Sequence, residues 1–168
     1  RGYREQMKTR ILGKTGFEVS EIGLGCWQLG GDFGPISQEI GASVIENAWD
    51  SRIRFWDTAD VYGNGTSEEM IGQWRAQNIL NVEETQVSAR APIVATKVGR
   101  TGNLFPDKYN KATIKANIQA SAERLKVETI DLIQLHCVPF DVLKDGEIFT
   151  WLKELQDEGL IHHYGASV

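Results

Sequence analysis

Apolar and polar positions along this chain follow two alternating patterns, one typical of strands and one typical of helices. Short, mostly apolar runs cover residues 21–25, 54–57, 93–97 and 130–136, and a fifth run begins at Tyr164. Such runs are typical of buried strands, and the segments between them have helical spacing. Five strands separated by helices, in units of roughly thirty to forty residues, predict a parallel β/α architecture.

The helical segments each carry an apolar stripe that repeats every three or four residues. The first helix is predicted to start at Ser37, the second at a capping box in residues 66–69, and the last to end near Gly159. The four stripes comprise Ile40, Val44, Ile45, Ala48 and Trp49; Met70, Ile71 and Trp74; Ile114, Ile118, Ala122 and Leu125; and Ile148, Trp151, Leu152 and Leu155.

Each predicted strand also ends at a residue that carries chemistry. Cys26 follows the first strand, Asp57, Lys97 and His136 close the next three, and Ser167 lies on the fifth. In β/α barrels the loops after the carboxyl ends of the strands build the active site. We therefore expect these residues to meet in one concave mouth, although they are far apart in sequence.

Taken singly, three of these residues have ordinary structural explanations. Asp57 would cap the next helix or turn, Tyr62 would be a loop aromatic, and His136 would be a satisfied core histidine. Lys97 is less ordinary, because a buried ammonium group must find an anion or lose its charge.

Taken together, the four side chains form a set suited to carbonyl reduction. Such a reaction needs a proton donor for the developing alkoxide and a group that orients the carbonyl oxygen. A phenol is a weak acid at neutral pH, and a nearby ammonium group strengthens it by stabilising the phenolate. Asp57 would keep Lys97 charged and fixed, Tyr62 would give the proton, and His136 would hydrogen-bond the substrate oxygen.

The composition narrows the classes of function. A formal net charge of -5 and a pI near 5.2 argue against binding of nucleic acid, which needs a basic face. No apolar run is long enough for a signal peptide or a membrane span, so we expect a cytoplasmic protein without a membrane partner. Residues 1–6 are polar and precede Met7, which predicts a flexible or vector-derived arm.

Three segments of the sequence resemble the aldo-keto reductases. Residues 57–63, Asp-Thr-Ala-Asp-Val-Tyr-Gly, are similar to the family signature that holds the catalytic aspartate and tyrosine. Residues 95–99 resemble the segment with the catalytic lysine, and residues 131–136 resemble the strand that ends in the catalytic histidine. The opening segment, residues 12–27, is also similar to bacterial members of the family.

The resemblance implies a fold, a cofactor and a set of roles. The fold is an (α/β)8 barrel of the TIM type with an N-terminal β-hairpin, and the hydride donor is NADPH, with NADH as the alternative. Tyr62 is then the general acid, Lys97 strengthens it, Asp57 pairs with Lys97, and His136 aligns the substrate carbonyl. The implied cofactor contacts are Gly25, Cys26, Trp27, Asp57 and Ser167, the implied substrate contacts are Trp27, Tyr62 and His136, and no metal is expected.

The length of the chain departs from the family pattern. An eight-stranded barrel takes about 250 residues, whereas this chain has 168 residues. We therefore expect one domain over residues 7–168, incomplete at its carboxyl end, with an irregular insertion at residues 78–90. His162 and His163 precede the fifth strand candidate, so we expect them at the opposite, stability-side end of the barrel.

The function predicted from the sequence is reduction of aldehydes or ketones to alcohols by an NADPH-dependent oxidoreductase. Two alternatives stay open. One is a catalytically incomplete fragment whose open sheet edges lead to self-association. The other is a regulatory binding subunit on the same fold.

Overall fold

The structure, a computed structural model, describes residues 6–79 and 91–168. Of the expected N-terminal arm, residues 1–5 lie outside the described residues, as do residues 80–90 of the expected insertion. The strands are β1 (Thr9–Ile11), β2 (Glu18–Ser20), β3 (Leu24–Gly25), β4 (Phe55–Asp57), β5 (Ile93–Val98), β6 (Ile130–His136) and β7 (Ile161–Ser167). The helices are α1 (Gln38–Asp50), α2 (Thr66–Asn78), α3 (Lys111–Leu125), α4 (Phe140–Asp145) and α5 (Glu147–Asp157).

Strands β3 to β7 form one parallel sheet in the order of the chain, and β1 pairs with β2 as an antiparallel hairpin. The register places Gly25 beside Asp57, Lys97 beside Gln134, and His136 beside Ser167. All five strands point the same way, so their carboxyl ends meet at one edge. This confirms the predicted hairpin and parallel β/α architecture, while self-association through the outer strands stays a prediction.

The fifth sheet strand starts earlier than its sequence predicts. It begins at Ile161, which is buried and pairs with Ile130, rather than at Tyr164. His162 and His163 therefore lie inside the strand instead of before it, and their rings meet Phe17 at 6.3 and 5.0 Å between centroids. They still occupy the amino-terminal end of the strand, next to the hairpin.

The predicted helices α1, α2, α3 and α5 are all present. Ser37 caps α1 by accepting a hydrogen bond from the Ile40 amide at 3.2 Å, as its position before the stripe predicts. The α3 stripe is buried along its whole length. In α1, by contrast, Ile40 of the predicted stripe is not buried: it lies in the first turn with 58% of its surface exposed.

The capping box predicted for α2 is wrong. The N-cap is Gly65, whose φ of 97° is accessible to glycine, and Thr66 is already the first helical residue. The Thr66 hydroxyl donates back to the Gly63 carbonyl at 2.7 Å. Glu69, the expected reciprocal partner, is exposed on the helix surface.

Two apolar clusters hold the helices against the strands. In one, Ile118 of α3 and Leu152 of α5 pack with Ile133 of β6. In the other, Trp56 of β4 meets Trp74 of α2 with ring centroids 4.9 Å apart. These contacts make the strand ends a rigid base for the side chains that follow them.

Helices α2 and α3 approach each other closely at Gly72. A Cβ atom at Gly72 would lie 1.9 Å from the carbonyl oxygen of Arg124. The same helices share an ion pair in which Arg124 Nε donates to Glu68 Oε2 at 2.7 Å, and Glu68 is fully buried. The close backbone approach and the buried ion pair thus fix the position of α2 relative to α3.

We predict that Gly72→Ala lowers the free energy of unfolding by about 1–3 kcal/mol, because the added methyl group meets backbone rather than a flexible side chain. Urea unfolding measures the change. Gly102→Ala is the matched control, since a Cβ there has no neighbour within 4 Å. Equal stability changes at the two positions would contradict the close helix contact.

Candidate active site

The site lies at the carboxyl edge of the parallel sheet. Asp57 and His136 are the last residues of β4 and β6, and Lys97 is the last but one of β5. Tyr62 opens a short 3₁₀ turn, Tyr62–Gly65, between β4 and α2. The parallel register therefore brings the four sequence-predicted residues to one place.

Lys97 is the centre of the hydrogen-bond network. Its Nζ lies 3.1 and 3.0 Å from the two carboxylate oxygens of Asp57, 2.9 Å from the Thr58 carbonyl oxygen and 3.1 Å from the Tyr62 hydroxyl. Only 5% of the lysine side chain is exposed. The three N–H donors of an ammonium group are fully used by these acceptors, so its charge is compensated where water cannot reach it.

The Tyr62 oxygen accepts a hydrogen bond from this ammonium group. Its own O–H is therefore free to donate elsewhere, because an ammonium group donates and cannot accept. Lys97 Nζ also lies 4.9 Å from the centre of the phenol ring. A phenolate at Tyr62 would be stabilised by a fixed positive charge in direct contact.

His136 is set up as a neutral imidazole. Burial lowers its pKa to about 4, assisted by the positive charges of Lys97 and Arg100 and opposed by Asp57. Its ring meets the Tyr62 ring edge-on, with centroids 6.0 Å apart. Within residues 6–79 and 91–168, its buried Nδ1 has no hydrogen-bond partner.

Gln134 is a member of the network that the sequence interpretation missed. Its Nε2 donates to Asp57 Oδ1 at 3.3 Å, so the carboxylate is held from β6 as well as from β5. The signal was present: Gln134 interrupts an apolar strand two residues before His136. Residues at i and i+2 on a strand lie on the same face.

The last residue of β3 and the two residues that follow it contribute in different ways. Gly25 is exposed beside Asp57, whereas Cys26 is fully buried and its amide donates to the Asp57 carbonyl oxygen at 2.8 Å. Burial, with a further contribution from Asp57, raises the pKa of the Cys26 thiol to about 12, so the thiol stays protonated. Trp27 stacks on Tyr62 with ring centroids 5.8 Å apart.

Ser167 lies beside the quartet rather than within its hydrogen-bond network. It is half-buried at the end of β7, paired in register with His136. Its carbonyl oxygen accepts a hydrogen bond from the Cys137 amide at 2.9 Å.

No helix in the described part of the chain is long and apolar enough to cross a membrane.

Comparison with known proteins gives consistent matches. Residues 21–168 match the model of the Aldo/keto reductase family. L-galactose dehydrogenase of Arabidopsis thaliana is 31% identical over 162 residues, covering 95% of this chain and 48% of that protein. Aldo-keto reductase yakc [NADP(+)] of Schizosaccharomyces pombe is 33% identical over 168 residues, covering 95% of this chain and 45% of that protein.

Solved structures agree with this match. Aldo-keto reductase AKR11C1 from Bacillus halodurans in its holo form superposes with a TM-score of 0.77 at 33% identity, over 96% of this chain and 50% of that one. The chain thus spans about half the length of the relatives it matches. Its five parallel strands and the helices between them are those of part of an (α/β)8 barrel, as the sequence resemblance implies.

We predict that the His136 imidazole titrates with a midpoint near pH 4, measured by NMR and assigned by loss of the signal in His136→Gln. Lys97→Met should raise the midpoint, because it removes a nearby positive charge. Since the folded state binds this proton less readily than the unfolded chain, the contribution of His136 to stability is full above about pH 6.5 and is lost as the pH falls toward 4. A midpoint at the ordinary histidine value would contradict this environment.

Proposed function

Because the chain belongs to the aldo/keto reductase family, we propose that the protein is an NADPH-dependent oxidoreductase that reduces aldehydes or ketones to alcohols. The observation that carries the proposal is the contact of one buried ammonium group with both the Asp57 carboxylate and the Tyr62 phenol oxygen. This arrangement suits a proton donor that must leave a negative charge behind.

Tyr62 is the proposed general acid. Its proton passes to the carbonyl oxygen, and the phenolate that remains faces Lys97 at 3.1 Å. Asp57 pairs with the Lys97 ammonium group and holds it in position, and Gln134 holds the Asp57 carboxylate. The charge developed on the phenol oxygen is thereby met by a donor that is already in place, which avoids the cost of reorganising solvent.

His136 is the proposed orienting group for the substrate carbonyl. Because its pKa lies near 4, the imidazole is neutral at physiological pH and does not compete with Tyr62 as the acid. A neutral imidazole still carries one N–H, which can donate to the carbonyl oxygen. Orientation and proton transfer are therefore assigned to two different side chains.

The residues around Asp57 fit a nicotinamide ring. At Gly25 the backbone is open, since a Cβ there would have no neighbour within 4 Å, and Ser167 offers a hydroxyl for a carboxamide. The bound cofactor would supply the hydride that adds to the carbonyl carbon. The choice of NADPH is supported by the yeast relative, whose name specifies NADP(+). Trp27, whose ring stacks on Tyr62, would contact the substrate together with Tyr62.

We predict that Tyr62→Phe lowers kcat by about 10²–10⁴-fold, the usual contribution of a general acid. The measurement is NADPH oxidation with 4-nitrobenzaldehyde, followed by the loss of NADPH absorbance. Tyr164→Phe is the matched control, because Tyr164 packs against the apolar core and not at the site. Persistence of full activity in Tyr62→Phe would refute the acid assignment.

A separate outcome distinguishes the alternative functions. If the unsubstituted protein binds NADPH but does not oxidise it with any aldehyde or ketone tested, the regulatory binding subunit is supported instead. If it neither binds NADPH nor turns over, the proposal of an oxidoreductase fails for this chain.

A further inference from the structure

Two large aromatic side chains beside Tyr62 are left in solvent. Trp27 is 50% exposed and Phe33 is 69% exposed, whereas Leu29 between them is fully buried. Leu29 therefore anchors this segment to the core, and the two aromatic rings contribute little to it. Exposed aromatic rings next to a reactive group are typical of a surface that binds a ligand.

The two rings continue the Tyr62 phenol into a row. Trp27 lies nearly parallel to Tyr62, at 19° with centroids 5.8 Å apart. Phe33 meets Trp27 at a steep angle of 67°, with centroids 4.7 Å apart. The row thus places two exposed aromatic rings next to Tyr62.

The loop that carries Phe33 is fixed to the turn that carries Tyr62. Asp32 Oδ2 accepts a hydrogen bond from the Gly63 amide at 3.1 Å. A Cβ at Gly30 would lie 2.3 Å from the Gly63 nitrogen, so the two backbones touch and both positions need glycine. Because Gly63 follows Tyr62 directly, the position of Phe33 relative to the phenol is set by backbone contacts.

We propose that Phe33 is a specificity-determining residue, whose ring forms with Trp27 an aromatic wall that selects carbonyl substrates bearing an aromatic ring. The proposal rests on the proposed carbonyl reduction at Tyr62. A planar aromatic group can stack on the exposed indole and meet the Phe33 ring edge-to-face, which are the favoured geometries of aromatic pairs. A short aliphatic chain covers less of the wall and has no ring quadrupole to match it.

The test compares an aromatic with an aliphatic aldehyde. For Phe33→Ala we expect KM for 4-nitrobenzaldehyde to rise about fivefold to tenfold with kcat nearly unchanged, and KM for butanal to change less than about twofold. Phe33→Tyr should restore the KM for the aromatic aldehyde, whereas Phe33→Leu, which keeps apolar bulk without a ring, should not. Ile22→Ala is the control for loss of an exposed apolar side chain, since Ile22 is 57% exposed and precedes β3 at the opposite end of that strand.

A binding measurement separates this proposal from the proposed function. 4-Nitrobenzyl alcohol should quench tryptophan fluorescence on titration, and its Kd should weaken about fivefold to tenfold in Phe33→Ala but not in Ile22→Ala. If the unsubstituted protein does not turn over either aldehyde, the proposed function fails, and this titration still decides whether Phe33 binds an aromatic ring. An unchanged Kd and KM in Phe33→Ala, or an equal loss for both aldehydes, would overturn the aromatic-wall proposal.

Discussion

The charge of Lys97 is the constraint around which the site is built. Transfer of an ammonium group out of water costs several kcal/mol unless other groups replace the lost hydration. Here the Asp57 carboxylate supplies the opposite charge, and the Thr58 carbonyl and the Tyr62 oxygen complete the acceptor set. Those acceptors all come from β4 and the turn after it, so adjacent parallel pairing of β4 and β5 is what makes a buried lysine tolerable.

A second network ties the surrounding loops to that pair of strands. The Ser67 hydroxyl donates to the Cys26 carbonyl at 2.8 Å and lies 2.8 Å from the Thr58 hydroxyl. It thereby joins the start of α2 to the segments after β3 and β4. Together with the contact between Gly30 and Gly63, this network holds Trp27 and Tyr62 in one arrangement. The side chains proposed to bind substrate therefore rest on buried hydrogen bonds and backbone contacts.

Local sequence pattern was sufficient for the five sheet strands, four of the helices and the edge at which the site lies, because apolar periodicity and strand polarity are local signals. It did not predict α4 or the start of β7 at Ile161. It failed where a side chain has a distant partner. Ser67 and Glu68 fell within the predicted capping box, yet both are buried, and Glu68 pairs with Arg124 from another helix. The exposure of Phe33 has no local signature. Gln134 does stand out as a polar residue in an apolar strand, but the local pattern does not identify Asp57 as its partner. Such features depend on strand register and loop docking.

The coupling between Asp57 and Lys97 is tested most directly by a double-mutant cycle on the free energy of unfolding. Asp57→Asn alone should destabilise the fold by about 1–3 kcal/mol, because it leaves a buried ammonium group without its counter-charge, although partial exposure of Asp57 moderates the cost. In a Lys97→Met background the same substitution should cost much less, since no buried charge remains to be compensated. Equal losses in the two backgrounds would show that the effects are additive and would contradict the central role of this ion pair.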